Sequence, residues 1–219
     1  MVFRNLFGKT QTAPGAGPDA AVLTGPRIPR HSSGWFALLK HLKTDPGMRI
    51  LDIGPTSSTN INFLTSLGHG VYMADLVNES LRGNWQVTAE GDSESRFDVE
   101  GFLDQNMDFS GRDFDVILAW TTLDYVPEAL IGPLVQRFRA SMNPGGRILA
   151  YFHTRDNGAT TPFCRYHVAD GENLEVQETT ASPVQRVITN RNIERLFEAY
   201  SNLKFFLAKD NLNEVIITR

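Results

Sequence analysis

The sequence predicts a doubly wound α/β fold, with a mostly parallel, seven-stranded sheet that ends in an antiparallel hairpin. From about residue 32 onward, apolar strand patterns alternate with amphipathic helix patterns, as in a parallel sheet covered by helices on both faces. Residues 114–120, FDVILAW, are almost continuously apolar, which is typical of a central strand in such a sheet. Two final strand patterns, LKFFLA and EVIITR, are separated only by KDNLN, which is too short for a parallel crossover.

The first elements follow from local spacing. Residues 1–31 include a run rich in Gly and Pro and are predicted to be a flexible N-terminal arm, so that the folded domain spans 32–219. Ser32 or Ser33 is expected to cap a first helix that ends before Pro46. A β-α-β unit follows, with a strand at 49–53, a helix at 59–67 and a strand at 71–74.

The later elements follow in the same way. The sequence predicts a third strand within 97–102, a helix at 128–142, a strand from residue 142 onward and a helix at 192–200. Residues 163–180 show two short strand patterns around ADGEN, which predicts a hairpin inserted after the fifth strand.

The composition indicates one globular domain. The 219 residues fit a single core, and 41% hydrophobic with 21% charged residues is ordinary globular usage. The formal net charge is −4 and no basic cluster is present, so no nucleic-acid partner is expected. A single cysteine, Cys164, excludes an internal disulfide, and no metal site is expected because ligands at zinc spacing are missing. Without a signal-peptide or membrane-span pattern, the protein is expected to be cytoplasmic, with no membrane partner.

Four segments in a fixed order carry a family resemblance. They are RILDIGP before a helix, MADL after the second strand, FDVILAWTTLDYVP, and MNPGGRILAYF. Together with the final hairpin, they resemble the signature segments of class I S-adenosylmethionine-dependent methyltransferases over about residues 34–219. The resemblance implies a Rossmann-like methyltransferase fold, S-adenosylmethionine as cofactor, and a small molecule or a protein side chain as methyl acceptor. The oligomeric state stays open.

The resemblance also implies a cofactor loop after the first strand. The family has D-x-G-x-G-x-G there, and this chain has, in order, Asp52, Gly54, Pro55, Thr56, Ser57 and Ser58. Thr56 and Ser58 therefore stand where the second and third glycines are found. The hydroxyls of this run either bind the carboxylate of the cofactor or cap the helix that follows.

Further cofactor contacts are implied beyond this loop. Asp75, with Leu76 beside it, is expected to bind the ribose hydroxyls, or else to cap a helix. Asp104 matches the family position that takes the adenine amino group; Asp108 is the nearby alternative, and either could be a turn residue. Trp120 is expected to face the sulfonium by cation–π attraction, with core packing as its alternative.

His153 and Tyr125 are the catalytic candidates. His153 follows the fifth strand at the same sheet edge, where it could act as a general base or could only line the site. Segments typical of nucleic-acid methyltransferases, Pro-Pro-Tyr or Pro-Cys, do not follow the fourth strand. The alternative function is a non-catalytic methyltransferase-like binding or scaffold protein with an altered cofactor loop. An oxidoreductase is disfavoured, because G-x-G-x-x-G is absent.

Overall fold

The computed structural model describes residues 25–88, 94–109, 111–155, 161–179, 184–208 and 210–219. Its strands are β1 (Ile28–His31), β2 (Arg49–Ile53), β3 (Gly70–Ala74), β4 (Gln86–Thr88), β5 (Ser95–Phe97), β6 (Phe114–Trp120), β7 (Met142–His153), β8 (Cys164–His167), β9 (Asn173–Glu178), β10 (Asn202–Phe206) and β11 (Leu212–Thr218). Its helices are α1 (Ser33–Thr44), α2 (Ser58–Ser66), α3 (Leu76–Arg82), α4 (Val99–Asn106), α5 (Thr122–Tyr125), α6 (Glu128–Ala140) and α7 (Asn190–Leu196).

Six strands form the central sheet, in the order β10-β11-β7-β6-β2-β3. Strands β3, β2, β6 and β7 run parallel, whereas β11 is antiparallel to β7 and forms a hairpin with β10. The predicted α/β fold and its final hairpin are confirmed. The strand order reverses between β2 and β6, so their carboxyl ends form the kind of crevice in which such sheets bind ligands.

The strand expected within 97–102 does not join this sheet. Strand β5 pairs with β4 in a separate two-stranded sheet, and α4 begins directly afterwards. Asp98 causes the change, because its carboxylate accepts the Gly101 N–H at 3.0 Å and so caps a helix. Within the described ranges the central sheet therefore has six strands, where seven were predicted.

Part of the predicted flexible arm is also a strand. Strand β1 pairs antiparallel with β9, which pairs with β8, and these three strands form a second sheet. The β8–β9 hairpin agrees with the insertion predicted at 163–180. Residues 1–24 of the arm lie outside the described residues. The folded domain therefore begins no later than residue 28.

Helices cover both faces of the central sheet. On one face, Trp35 and Leu38 of α1 belong to the same buried apolar cluster as Val116 and Leu118 of β6. Ser32 starts α1 as predicted, since its hydroxyl accepts the Trp35 N–H at 3.0 Å. The opposite face packs against α3, α4 and α6, and the two apolar clusters leave the strand ends free for polar groups. None of the helices described is both long and apolar enough to cross a membrane.

Candidate active site

Side chains from four strand ends meet at one edge of the central sheet. Gly54 follows β2, Asp75 follows β3, Thr121 follows β6, and His153 ends β7. Because these four strands are parallel neighbours, their carboxyl ends share that edge. Predicted site residues from separate segments are thereby brought together.

Asp52 is a buried carboxylate held by two side chains. Its Oδ1 accepts the indole N–H of Trp120 at 2.7 Å, and its Oδ2 accepts the amide of Asn60 at 2.7 Å. Burial raises the pKa of Asp52 to about 6, although both hydrogen bonds favour the charged form and lower it. Asp52 thus anchors Trp120 and Asn60 and does not open to solvent.

The raised pKa of Asp52 predicts a pH-dependent contribution to stability. The native state holds this proton more tightly than the unfolded chain does, so the contribution is lost as pH rises from about 4 through about 6. The unfolding free energy of the wild type minus that of Asp52→Asn should decrease by up to ~3 kcal/mol over this window, then stay flat. Denaturant titrations at each pH measure it, and a difference that does not change with pH would contradict the assignment.

Trp120 ends β6 in an unusual backbone conformation. Its φ is +45°, which is uncommon for a bulky side chain. The indole stacks on Tyr166 of β8, with ring centroids 4.9 Å apart and planes 9° apart. A Cβ at Gly54 would lie 3.7 Å from this indole. The core-packing alternative is therefore present in the structure, and a contact between Trp120 and a sulfonium stays a prediction.

The hydroxyl of Ser57, in the loop after β2, caps the N-terminus of α2. Ser57 Oγ accepts the Asn60 N–H at 3.2 Å and lies 2.9 Å from Nδ1 of His167 on β8. Pro55 is buried, whereas Thr56 is exposed. The helix-capping alternative thus holds for Ser57. The Thr56 hydroxyl remains open to a ligand beside the N-terminus of α2, which favours anions.

Asp75 also caps a helix. Its carboxylate accepts hydrogen bonds from the backbone N–H and the side-chain amide of Asn78, and burial raises its pKa. Leu76, the first residue of α3, is buried beneath it. A carboxylate has about four acceptor sites, so the cap leaves room for a further donor. Ribose binding by Asp75 therefore stays a prediction.

Asp104 does not stand at a strand end. It lies on α4 with its side chain 74% exposed, and it pairs with Arg137 of α6 at 3.0 Å. The acidic residue directly after β5 is Asp98, which lines a separate cavity of about 450 Å³ next to α4. The sequence prediction missed this position, because it took residues 97–102 for a strand.

A cavity of about 400 Å³ opens at the ends of β6 and β7. Its walls come from β1, β8, β9 and the loop before β11. Its lining includes Arg30, Tyr125, His153, Cys164 and Tyr166. Tyr166 thus separates the stacked indole of Trp120 from this space. The volume suits a small organic ligand.

An Asp–His pair faces this cavity. Asp124 Oδ2 lies 2.7 Å from Nδ1 of His153 and also accepts the backbone N–H of His153 at 2.7 Å. Asp124 is fully buried; burial raises its pKa, while the hydrogen bonds from His153 lower it. An ionised Asp124 keeps the proton of His153 on Nδ1, which leaves Nε2 as the basic nitrogen.

Tyr125 contributes a wall beside this pair. Its ring meets the imidazole of His153 edge to face at 5.8 Å, and its hydroxyl donates to the Pro162 carbonyl at 3.0 Å. Burial raises the pKa of Tyr125, so its phenol stays protonated. The contacts favour a positioning role for Tyr125.

Fold and strand-end chemistry together define an α/β domain of the methyltransferase type. Residues 30–201 match the family model described as a methyltransferase domain, and the chain belongs to this family. The resemblance seen in the sequence is thereby confirmed. No curated protein has significant sequence similarity to the chain.

Solved structures of methyltransferases are similar at low sequence identity. A protein from Methanosarcina mazei described as a SAM-dependent methyltransferase shares 15% identity with a TM-score of 0.49, over 83% of this chain and 96% of its own. The 1,6-didemethyltoxoflavin N1-methyltransferase of Burkholderia thailandensis shares 17% with a TM-score of 0.44, over 84% and 75%. The magnesium protoporphyrin IX methyltransferase of Synechocystis shares 13% with a TM-score of 0.45, over 84% and 74%.

The sequence prediction missed two further site residues. Asp124 was not identified as the partner of His153, because 29 residues separate the two along the chain. Arg30 lines the cavity from a segment that was predicted to be flexible. For Asp124, a signal exists in the sequence: an acidic residue four positions after a central strand can reach the end of the neighbouring strand.

Proposed function

We propose that this protein transfers a methyl group from S-adenosylmethionine to a small molecule bound in the 400 Å³ cavity. The observation that carries the proposal is the Asp124–His153 pair, which presents a basic nitrogen to that cavity at the carboxyl edge of a methyltransferase-family sheet. A cavity of about 400 Å³ is large enough for a small organic acceptor.

The residues beside the loop after β2 suit the cofactor. Asp75 offers free acceptor sites to a ribose, and the open N-terminus of α2 with the Thr56 hydroxyl suits a carboxylate. Asp98, at the strand end, is a better candidate for the adenine amino group than Asp104. When bound, S-adenosylmethionine supplies an electrophilic methyl group on sulfur.

His153 would act on the acceptor. Its Nε2 would take the proton of an acceptor hydroxyl or thiol, or the proton that an amine loses once it is methylated. The acceptor heteroatom would bond to the methyl carbon through a lone pair, while the sulfur–methyl bond of the cofactor breaks and S-adenosylhomocysteine leaves. The imidazolium that results is stabilised by the buried Asp124 carboxylate. The cavity walls, including the buried Tyr125 and Tyr166, would align the acceptor.

Binding of S-adenosylhomocysteine, the demethylated product, tests the proposal. A ligand that binds only the native state adds RT ln(1 + [L]/Kd), about 2.7 kcal/mol at a hundredfold excess over Kd, so the melting temperature should rise. Isothermal titration calorimetry gives the affinity. If neither heat nor a thermal shift appears at millimolar ligand, the chain is better described as a methyltransferase-like binding or scaffold protein.

A further inference from the structure

The two faces of β8 look toward two different sites. Side chains alternate along a strand, and Cys164 and Tyr166 both line the acceptor cavity. His167 points the other way, since its Nδ1 lies 2.9 Å from Ser57 in the loop after β2. Arg165 shares the face of His167 by the same alternation. It therefore projects toward the predicted cofactor loop and away from the acceptor cavity.

Strand β8 is fixed against this loop. The buried amide of Asn60 donates to both Asp52 and the Tyr166 carbonyl, at 2.7 and 3.0 Å, and it accepts the Val168 N–H at 2.8 Å. Hydrogen bonds on both sides of His167 thus hold the strand in place. The position of Arg165 beside the loop is a consequence of this buried network.

Arg165 is a cation with charged neighbours, and the described residues include no hydrogen-bond partner for its Nε. Its Nε is buried, and within the described part of the chain it donates to nothing. Burial and the nearby Arg27 lower the pKa of Arg165, while Asp75 and Asp52 act through space to raise it. Those two carboxylates stand at the ends of β3 and β2, so the guanidinium lies at the edge where the cofactor is expected. A buried N–H without a hydrogen-bond partner costs free energy, and a ligand that provides an acceptor would remove this cost.

We propose that Arg165 binds the α-carboxylate in the methionine part of S-adenosylmethionine. The inference rests on the proposed function, because it assigns a residue to the same cofactor site. A planar guanidinium pairs with a carboxylate through two parallel hydrogen bonds. Pro55 has no N–H, so the loop has one backbone donor fewer than it would have with another residue at this position. The inserted hairpin thus supplies the cation that compensates for the altered loop.

Two ligands distinguish a contact between Arg165 and the carboxylate from other effects of substituting Arg165. S-Adenosylhomocysteine carries the carboxylate, whereas 5′-methylthioadenosine has the same adenosine and thioether sulfur without the amino acid. Arg165→Met should lower the affinity for S-adenosylhomocysteine roughly 10- to 100-fold, as measured by calorimetry, because a charge-assisted pair of hydrogen bonds is lost. Its affinity for 5′-methylthioadenosine should stay within about twofold, because that ligand never meets the guanidinium. Arg165→Lys keeps the positive charge but cannot form two parallel hydrogen bonds to a carboxylate. Its affinity for S-adenosylhomocysteine should therefore lie between those of wild type and Arg165→Met.

Arg27→Met is the matched control. It removes the same charge nearby, but the Arg27 guanidinium is already bonded to Glu175 and Thr59, each at 3.2 Å. The S-adenosylhomocysteine affinity of Arg27→Met should change by less than about threefold at physiological salt. The unliganded Arg165→Met protein should melt no lower than wild type, because the Nε that it removes is unpartnered.

The outcomes separate the two proposals. If wild type binds S-adenosylhomocysteine and Arg165→Met and Arg165→Lys bind it equally well, the Arg165 assignment is wrong and the proposed function stands. An equal loss of affinity for both ligands would also contradict the Arg165 assignment, because 5′-methylthioadenosine has no carboxylate for Arg165 to bind. If wild type binds neither ligand, the proposed function itself fails, and the Arg165 assignment fails with it.

Discussion

His153→Asn is expected to slow methyl transfer by about 10²- to 10⁴-fold, the usual contribution of a general base. Asparagine was chosen because its amide N–H can stand near the position of Nδ1 and keep a donor to Asp124, while no basic nitrogen remains. The affinity for S-adenosylhomocysteine should stay within about twofold, because His153 lies on the acceptor side of Tyr166. Formation of S-adenosylhomocysteine, with the acceptor that a screen of small phenols, thiols and amines identifies, measures the rate.

Two neighbouring variants make this result specific. Asp124→Asn should also lower the rate strongly, because an amide no longer fixes the Nδ1–H form of His153. Tyr125→Phe keeps the ring beside His153 and loses only the hydrogen bonds of the hydroxyl to the Thr161 and Pro162 carbonyls, so its rate should fall less than about tenfold. Full activity of His153→Asn would remove His153 as the base and leave the cavity with a positioning role alone.

Arg30→Met is expected to lower the free energy of unfolding by about 3–5 kcal/mol. The guanidinium of Arg30 lies 2.6 Å from Glu214, and the two side chains are only 10% and 1% exposed. Glu214 also accepts the Ser32 hydroxyl at 3.0 Å and the Gly34 N–H at 2.6 Å, so it is held at the start of α1. Without Arg30 the buried carboxylate keeps its position but loses its counter-charge, which is the costly way to break such a pair.

An exposed ion pair provides the comparison. Arg137→Met breaks the pair with Asp104, whose side chains are 33% and 74% exposed, and should cost less than about 1 kcal/mol. Adding Glu214→Gln to Arg30→Met should recover part of the loss, because the buried group is then neutral. Denaturant unfolding of the four proteins gives these values. Equal losses for Arg30→Met and Arg137→Met would show that the Arg30 pair is not buried in solution.

The sequence determined those elements whose signals are local. Strands β2 and β6 have the predicted bounds, 49–53 and 114–120, because mostly apolar runs identify buried strands without reference to partners. The start of α1 at Ser32 was predictable for the same reason, since a cap acts within one turn of helix. The short interval between the last two patterns was enough to set their antiparallel pairing.

Only the tertiary structure decided features that depend on distant partners. Residues 28–31, IPRH, have one aliphatic side chain and a proline. They form a strand because β9 offers an edge for pairing and because Glu214 and Asp210 bind Arg30. The segment after β5 became a helix because Asp98 caps it, which a short apolar pattern cannot distinguish from a strand.

The site divides in the same way. The sequence was enough to locate Asp52, Asp75 and His153 at or next to strand ends, because the carboxyl edge of a sheet is known once its strands are known. The sequence did not predict three features: the pairing of His153 with Asp124, the stacking of Trp120 on Tyr166, and the unpartnered Nε of Arg165. Each depends on the register of β7 or β8 against an element far away in the chain. Side-chain contacts between such elements follow from packing, which periodicity and capping within one segment do not specify.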